Sequence, residues 1–384
     1  MPSAAEPVRL IQVGAGAMGR AWLQTIADSE QAELVGLVDL NTEAARQAAD
    51  SSGFADVAVA RSLAELFDRV DAQAVVNVTI PAAHASVSTT ALLHGLPVLC
   101  EKPLAESVST GLSMIAASEL SGQLLMVSQS RRYWRNLSAF RRQITQLGPI
   151  GTVDCAFFKA PHFGGFRDEM PFPLLIDMAI HQFDLARDLI GSEPVAVYCS
   201  SYNPSWSWYS GDAAAQVLFE FAGGTRFSFN GSWCSPGLET SWNGEWRVSA
   251  QDGSAVWDGD NEPTAVGAGD QPIAATVGDE PEQIAGSLAE FLAALESGTV
   301  PSGEAHSNVL SLAMVEAAIK SAGERRRVLI AEVLEEAHAE AVRTETDPDI
   351  NAVLQSWRSV HDAVGGSPDR FPFQTINGAS SASI

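Results

Sequence analysis

The chain has 384 residues, 46% of them hydrophobic, which suits two domains with their own cores and does not fit a disordered protein. A formal net charge of −24 argues against nucleic acid or an anionic membrane as partner, since both call for basic patches. The four cysteines, Cys100, Cys155, Cys199 and Cys234, are scattered without a CxxC or Cys/His cluster, which predicts reduced thiols, no metal site and a cytoplasmic protein.

The first residues, "MPSAAEPVRL", show no basic region followed by an apolar one, so no signal peptide is expected. No uncharged apolar run is long enough to cross a bilayer. From Val8 the chain alternates: strand "VRLIQVG", helix "MGRAWLQTIADS", strand "AELVGLVDL", helices at Thr42–Ser52 and Leu63–Phe67, strand "AQAVVNVT", a helix from about His84 to His94, and strand "LPVLCEK". This rhythm predicts a parallel sheet with helices on both faces over residues 1–128, an α/β domain. Beyond about residue 128 strands follow one another, in "GTVDCAFFKAP", "PVAVYCSS", "AAAQVLFEFAGGTRFSFNGSW" and "EWRVSAQDGSAVW". Gly223-Gly224 marks a hairpin within them. An α+β domain with a large, mostly antiparallel, open-faced sheet is therefore expected over residues 129–330, with helices near Ile284–Leu295 and His306–Ala322. Residues 331–384 read as a charged helical extension ending in a frayed Ser/Ala/Gly tail.

The turn "GAGAMG" places Gly14, Gly16, Ala17, Met18 and Gly19 between a strand and a helix in GxGxxG spacing, the context of a dinucleotide fingerprint. Gly14 permits the turn, Gly16 lets the backbone approach a pyrophosphate, and Gly19 allows close helix packing. Asp39 ends the second strand, where a carboxylate accepts from ribose hydroxyls and repels a 2′-phosphate. NAD is thus favoured over NADP.

A second motif, "VLCEKPLAES", sets Glu101, Lys102 and Pro103 at a strand's C-terminal end, where open parallel sheets bind ligands. A third stretch, "LLIDMAIHQFDLARDL", reads as one helix from Leu174 to Leu189, with Asp177, His181, Asp184 and Asp188 stepping along one face. Asp188 is expected on its wet side. Asp184, within one turn of Arg187, is expected in a local ion pair or a structural contact.

Together these stretches, with "VTIPAAH" and "SQSRRYWRNLSAFRRQITQLGPIG", resemble the Gfo/Idh/MocA oxidoreductases over roughly residues 8–330. Two departures are Ile80 within the Thr79–Pro81 turn, where the family usually has Thr-Pro-Pro, and Ala179 within the DxxxH spacing. The resemblance implies a Rossmann domain beside a sheet domain, with substrate held over the nicotinamide. It also implies that Lys102, Asp177 and His181 are the catalytic residues, and that Thr79, Pro81, His84 and Glu101 lie at the cofactor with the glycine turn.

The chemistry is consistent with that assignment. Oxidising a secondary alcohol requires loss of the hydroxyl proton as hydride leaves carbon. His181 is then the natural general base, Lys102 a donor to the same oxygen, and Asp177 a group that orients a neighbouring hydroxyl or tunes the cations. Arg132 and Tyr133 are candidates near the nicotinamide or substrate, weighed about evenly against a structural cluster. Lys159 and His162 end a strand that lines the site if they function at all. A helix-start hydrogen bond accounts for His84 as well as a cofactor contact does, and His94 and His306 suggest no function. Six of the nine tryptophans fall between Trp206 and Trp257, and most of them are expected at a subunit interface, in a homodimer or homotetramer built on the sheet.

The expected activity is NAD-dependent oxidation of a sugar, cyclitol or sugar derivative. One alternative is a glycoside-cleaving enzyme that recycles bound NAD. Another is a non-catalytic sugar-binding regulator, which predicts damaged catalytic positions, whereas Lys102, Asp177 and His181 are all present.

Overall fold

The computed structural model describes residues 6–365 and 373–376. The first five residues and most of the Ser/Ala/Gly tail lie outside them. The chain forms two compact units, one of Met1–Gln129, Ile284–Val309 and Ala337–Ile384, the other of Ser130–Gln283 and Leu310–Glu336. The units are not consecutive stretches like those drawn from the sequence, because helices late in the chain pack back on the first unit.

The first unit is built on six strands: β1 (Val8–Val13), β2 (Ala32–Val38), β3 (Ala58–Ala60), β4 (Ala74–Asn77), β5 (Val98–Glu101) and β6 (Leu125–Ser128). They are ordered β3-β2-β1-β4-β5-β6, with every adjacent pair parallel. β4, β5 and β6 are buried at every residue, which explains why they read as unbroken apolar runs rather than as alternations. Five helices connect the strands: α1 (Ala17–Ala27), α2 (Thr42–Ser51), α3 (Ala64–Phe67), α4 (Pro81–Leu93) and α5 (Val108–Ser121). The strand order reverses between β1 and β4, so the C-terminal ends of those strands form the switch point at which such sheets bind ligands.

The second unit carries a nine-stranded sheet: β7 (Ile150–Phe158), β8 (Pro194–Tyr202), β9 (Ala214–Phe221), β10 (Arg226–Ser232), β11 (Glu245–Ala250), β12 (Gly253–Trp257), β13 (Thr264–Val266), β14 (Pro272–Ile273) and β15 (Val328–Leu329). Their order is β14-β13-β12-β11-β7-β10-β9-β8-β15, antiparallel throughout except for β7 beside β10. The β9–β10 hairpin turns at Gly223 and Gly224, both at positive φ (81° and 97°).

Alternation gives this sheet two unlike faces. One row, including Phe219, Phe227, Phe229, Val248 and Trp257, is buried. The second unit also holds α6 (Arg135–Ile144) and α7 (Ile180–Ile190), and Phe183 of α7 meets Phe219, Phe227 and Phe229 edge-on. The other row is open, with Tyr198, Leu218 and Val256 left 40–51% exposed. Trp233, Trp246 and Trp257 are buried, so half of the tryptophans expected at an interface are core residues instead.

Among the described residues five later helices follow: α8 (Gln283–Ser297), α9 (Ala305–Glu324), α10 (Ile330–Thr344), α11 (Pro348–Ser356) and α12 (Val360–Val364). In the first unit α11 packs on α5. Beyond residue 330 the described residues form α10 to α12, divided between the two units at Glu336. Among the described residues no helix is long and apolar enough to cross a membrane.

Candidate functional site

In the first unit the glycine turn has the geometry that its spacing predicts. Gly14 has φ +103°, and a Cβ there would lie 2.5 Å from the Val78 carbonyl oxygen, so no other residue fits without displacing backbone. A Cβ on Gly19 would meet the Gly14 oxygen at 2.3 Å, which is the close helix approach that its position requires. At Gly16 a Cβ would meet nothing within 4 Å, and no side chain caps the α1 N-terminus that this residue starts. Ala17 and Met18 open α1 and are exposed. The first-turn N–H groups of α1 thus offer a pyrophosphate site.

Asp39 closes the other side of this turn. Its Oδ2 accepts from Ala15 N and its Oδ1 from Asn41 N, both at 2.8 Å. These two bonds fix the carboxylate at the end of β2, with lone pairs left for ribose hydroxyls. The residues present fit a bound dinucleotide.

After β4 the chain turns through Thr79 and Ile80 and enters α4 at Pro81, the N1 position where proline costs no hydrogen bond. Asn77 at the strand end holds that turn, its Oδ1 accepting from the N and Oγ1 of Thr79. His84, expected at the cofactor, is fully buried, and its two ring nitrogens lie 2.7 and 3.0 Å from the Pro103 and Thr79 carbonyls. Burial lowers the pKa of its imidazole, the two backbone bonds oppose that, and the nearby Lys102 charge adds to the lowering.

Glu101 ends β5 buried, with Oε1 accepting from Trp22 Nε1 at 2.8 Å and Oε2 from Lys102 N at 3.2 Å. Desolvation raises its pKa, offset in part by those two donors. The carboxylate therefore ties α1 to the Lys102 turn from inside the unit, a contact that the motif did not reveal. Lys102 follows at the strand's C-terminal end, partly exposed.

In the second unit the stretch expected as one helix begins as a π-helix, Leu174–Ala179, and becomes α-helical at Ile180. π-Helical turns occur often at functional sites; this one contains Asp177 and ends two residues before His181. Asp177 is bound by Arg167, whose Nε donates to Oδ2 at 2.6 Å. The Arg167 guanidinium in turn lies over the rings of Phe166 and Phe163, 4.7 and 5.4 Å from their centroids. Nothing in the sequence motif pointed to Arg167, which lies ten residues away at the end of a short 3₁₀ turn, Gly165–Arg167. His181 is buried on the first turn of α7.

The rest of the polar stripe is not a wet face. Asp184 is 1% exposed and receives Arg132 bidentately, at 2.7 Å on both oxygens, together with Ser311 Oγ at 2.7 Å. Its partner is thus Arg132 rather than Arg187, which binds Glu193 and Ser311. Asp188, expected in water, pairs with Arg141 and keeps only 14% of its side chain exposed. Arg132, weighed as a substrate residue, has its bidentate fork committed to Asp184. Tyr133 ends the short 3₁₀ turn that carries Arg132.

Lys159 donates to Glu239 Oε2 at 3.1 Å and lies 5.1 Å over the Trp242 ring. His162 is exposed and stacks on Trp208, with centroids 3.7 Å apart. These two side chains keep aromatic company in the second unit, and Trp242 remains 40% exposed.

A 3-2-1-4-5-6 parallel sheet with this glycine turn and fixed acidic strand end defines a Rossmann dinucleotide-binding domain. Residues 8–129 match the oxidoreductase family with NAD-binding Rossmann fold, and residues 145–256 match the GFO/IDH/MocA C-terminal domain. An uncharacterized protein, y4oX, of Sinorhizobium fredii is 31% identical over 261 residues, covering 65% of this chain and 72% of its own length. An inositol 2-dehydrogenase of Rhizobium meliloti is 26% identical over 84% of this chain and 99% of its own. An Agrobacterium radiobacter oxidoreductase, solved in complex with NAD+, L-tartaric acid and magnesium, superposes with a TM-score of 0.77 at 20% identity, over 86% of this chain and all of that one. The chain belongs to the Gfo/Idh/MocA oxidoreductase family, with that family's NAD-binding Rossmann domain and C-terminal domain.

Proposed function

We propose that the protein oxidises a secondary hydroxyl of a sugar, cyclitol or sugar derivative, with Lys102, Asp177 and His181 as its working residues. The observation that carries this reading is the placement of Lys102 at the C-terminal end of β5, in the unit that holds the dinucleotide turn, with its own N–H bonded to Glu101. When bound, NAD supplies the acceptor for the hydride that leaves the carbinol carbon.

The chain's own groups handle the oxygen. His181 removes the hydroxyl proton, and the Lys102 ammonium donates to the same oxygen as negative charge develops. Asp177, held by the charged bond from Arg167, accepts from a neighbouring hydroxyl and orients the ring. Each step uses only proton transfer and hydrogen bonding by side chains. The four cysteines are buried and free, which supports a reducing, cytoplasmic setting. The open row of the nine-stranded sheet supports self-association into a homodimer or homotetramer.

The test is a screen of NAD reduction across inositols, aldoses, polyols and glycosides. Lys102→Ala and His181→Ala are each expected to lower kcat by about 10²–10⁴-fold on the best substrate. Wild-type turnover in both variants would sink the site assignment. Glycoside cleavage without accumulation of NADH would replace net oxidation with the cofactor-recycling reaction.

A further inference from the structure

A lysine on a flexible four-carbon stem is only as well placed as the turn that carries it. Two clamps hold the Lys102 turn within the first unit. On one side the Glu101 carboxylate receives the Lys102 N–H at 3.2 Å. On the other, His84 Nδ1 sits 2.7 Å from the carbonyl of Pro103, the next residue along. The second nitrogen of the same ring lies 3.0 Å from the Thr79 carbonyl, in the turn that follows β4. One imidazole, with no exposed surface, therefore bridges the ends of two adjacent strands.

His84 is itself fixed. Its carbonyl accepts from Asn77 Nδ2 at 3.1 Å, and that amide also donates to Ser88 Oγ at 3.0 Å. Asn77 Oδ1 holds Thr79, so ring, turn and helix start form one buried polar network. A neutral imidazole carries one N–H, and the shorter contact, Nδ1 to the Pro103 carbonyl, is the bond that holds the Lys102 turn, while Nε2 packs beside the Thr79 carbonyl. Removing the ring leaves the buried Pro103 carbonyl without its donor and the Lys102 turn unclamped on that side.

We propose that His84 is the positioning residue for Lys102, locking its turn to the Thr79 turn so that the ammonium reaches the substrate oxygen from one direction. This rests on the reading of Lys102 as catalytic. His84 itself touches neither substrate nor cofactor in this account. Its effect on rate runs through Lys102 alone.

The experiment is a double-mutant cycle in the full chain, with a structural readout beside it. Turnover is measured with NAD and myo-inositol, or the fastest polyol of the screen, for His84→Ala, His84→Gln, Lys102→Ala and the His84→Ala/Lys102→Ala double variant. His84→Ala is expected to lower kcat by about 10–100-fold, as misplacement of a reacting group by about an ångström does, and to change KM for NAD less than about threefold. His84→Gln, whose amide can still donate to the Pro103 carbonyl but lacks the ring that fills the space between the two turns, should fall between it and wild type. It also serves if the alanine variant does not fold. The double variant should be no slower than Lys102→Ala, because the two substitutions remove one function. Multiplied losses in the double variant, or wild-type kcat in a folded His84→Ala protein, would overturn the proposal.

Hydrogen–deuterium exchange of the same variants needs no substrate. His84→Ala should raise exchange in both the 78–82 and 102–107 segments, and Lys102→Ala in neither. Unchanged exchange in both segments of His84→Ala overturns the clamp whatever the kinetics. Wild-type turnover in Lys102→Ala instead overturns the catalytic reading, so the two failures are told apart.

Discussion

Asp39 is placed by the turn it serves. Its two oxygens are anchored by backbone N–H groups from the glycine turn and from the start of α2, so the carboxylate is set before any ribose arrives. Asp39→Ala should weaken NAD about tenfold or more and narrow the preference over NADP, as read by fluorescence titration of both reduced cofactors. A wild-type protein that prefers NADP would contradict this reading. Arg132 and Asp184 show the opposite case, in which residue type alone left two readings about evenly weighed. An arginine near a family substrate position turned out to be the buried partner of an aspartate 52 residues away. Asp184→Ala strands the guanidinium and should cost about 3–5 kcal/mol in urea unfolding. The apolar pair Arg132→Met with Asp184→Leu should recover much of that loss, and no recovery would mean that Asp184 contributes by another route.

At the level of elements, the segment Leu174–Ile190 is buried along both its π-helical and α-helical parts, apart from a few half-exposed positions. Its polar residues looked like a wet stripe because periodicity records which residue types share a face, not what that face meets. A π-helical turn keeps a four-residue step near one side, so the spacing of Asp177 and His181 does not reveal it.

Within the first unit the late helices are tied to α5 by a histidine for which the sequence suggested no function. His306 lies with Nδ1 2.5 Å from Glu304 and Nε2 3.1 Å from Glu119 of α5, and Glu119 also accepts from Trp357 beyond α11. Burial alone would lower the His306 pKa, but the two carboxylates outweigh it and raise it to about 9. A pKa raised above the unfolded value of about 6.5 gives stability that is complete below that pH and is lost as pH climbs through about 9. Urea midpoints of the wild type should therefore fall between about pH 6 and about pH 10 by more than those of His306→Gln. Parallel pH trends in the two proteins would rule the triad out as the cause.

On the scale of the whole molecule, the open face of the nine-stranded sheet is a shallow depression of about 790 Å³. Apolar Tyr198, Leu218 and Val256 stand exposed there beside Asp154, Glu245 and Arg247. A second copy on this face would cover the apolar residues, a self-complementary arrangement of the kind that cyclic dimers use. The pair Tyr198→Lys with Leu218→Lys should shift the protein to monomer in light scattering, with the fold retained by circular dichroism. An unchanged mass would place the interface elsewhere or show that there is none.

The sequence by itself determined the class of fold, the dinucleotide turn and the acidic end of β2. Each of those depends on local demands: φ at Gly14, space at Gly16 and Gly19, and a carboxylate one strand later. It determined the mostly antiparallel second sheet too, since strands without helices between them leave little other choice. Only the tertiary structure decided what each polar side chain faces. Arg132 went to Asp184, Arg167 to Asp177, Glu101 to Trp22, and His84 to two backbone carbonyls. Those partners are ten to seventy-nine residues apart or belong to the backbone. Burial makes an unpaired polar group costly, so each had to find a partner, but which one depends on how the chain packs and not on local spacing.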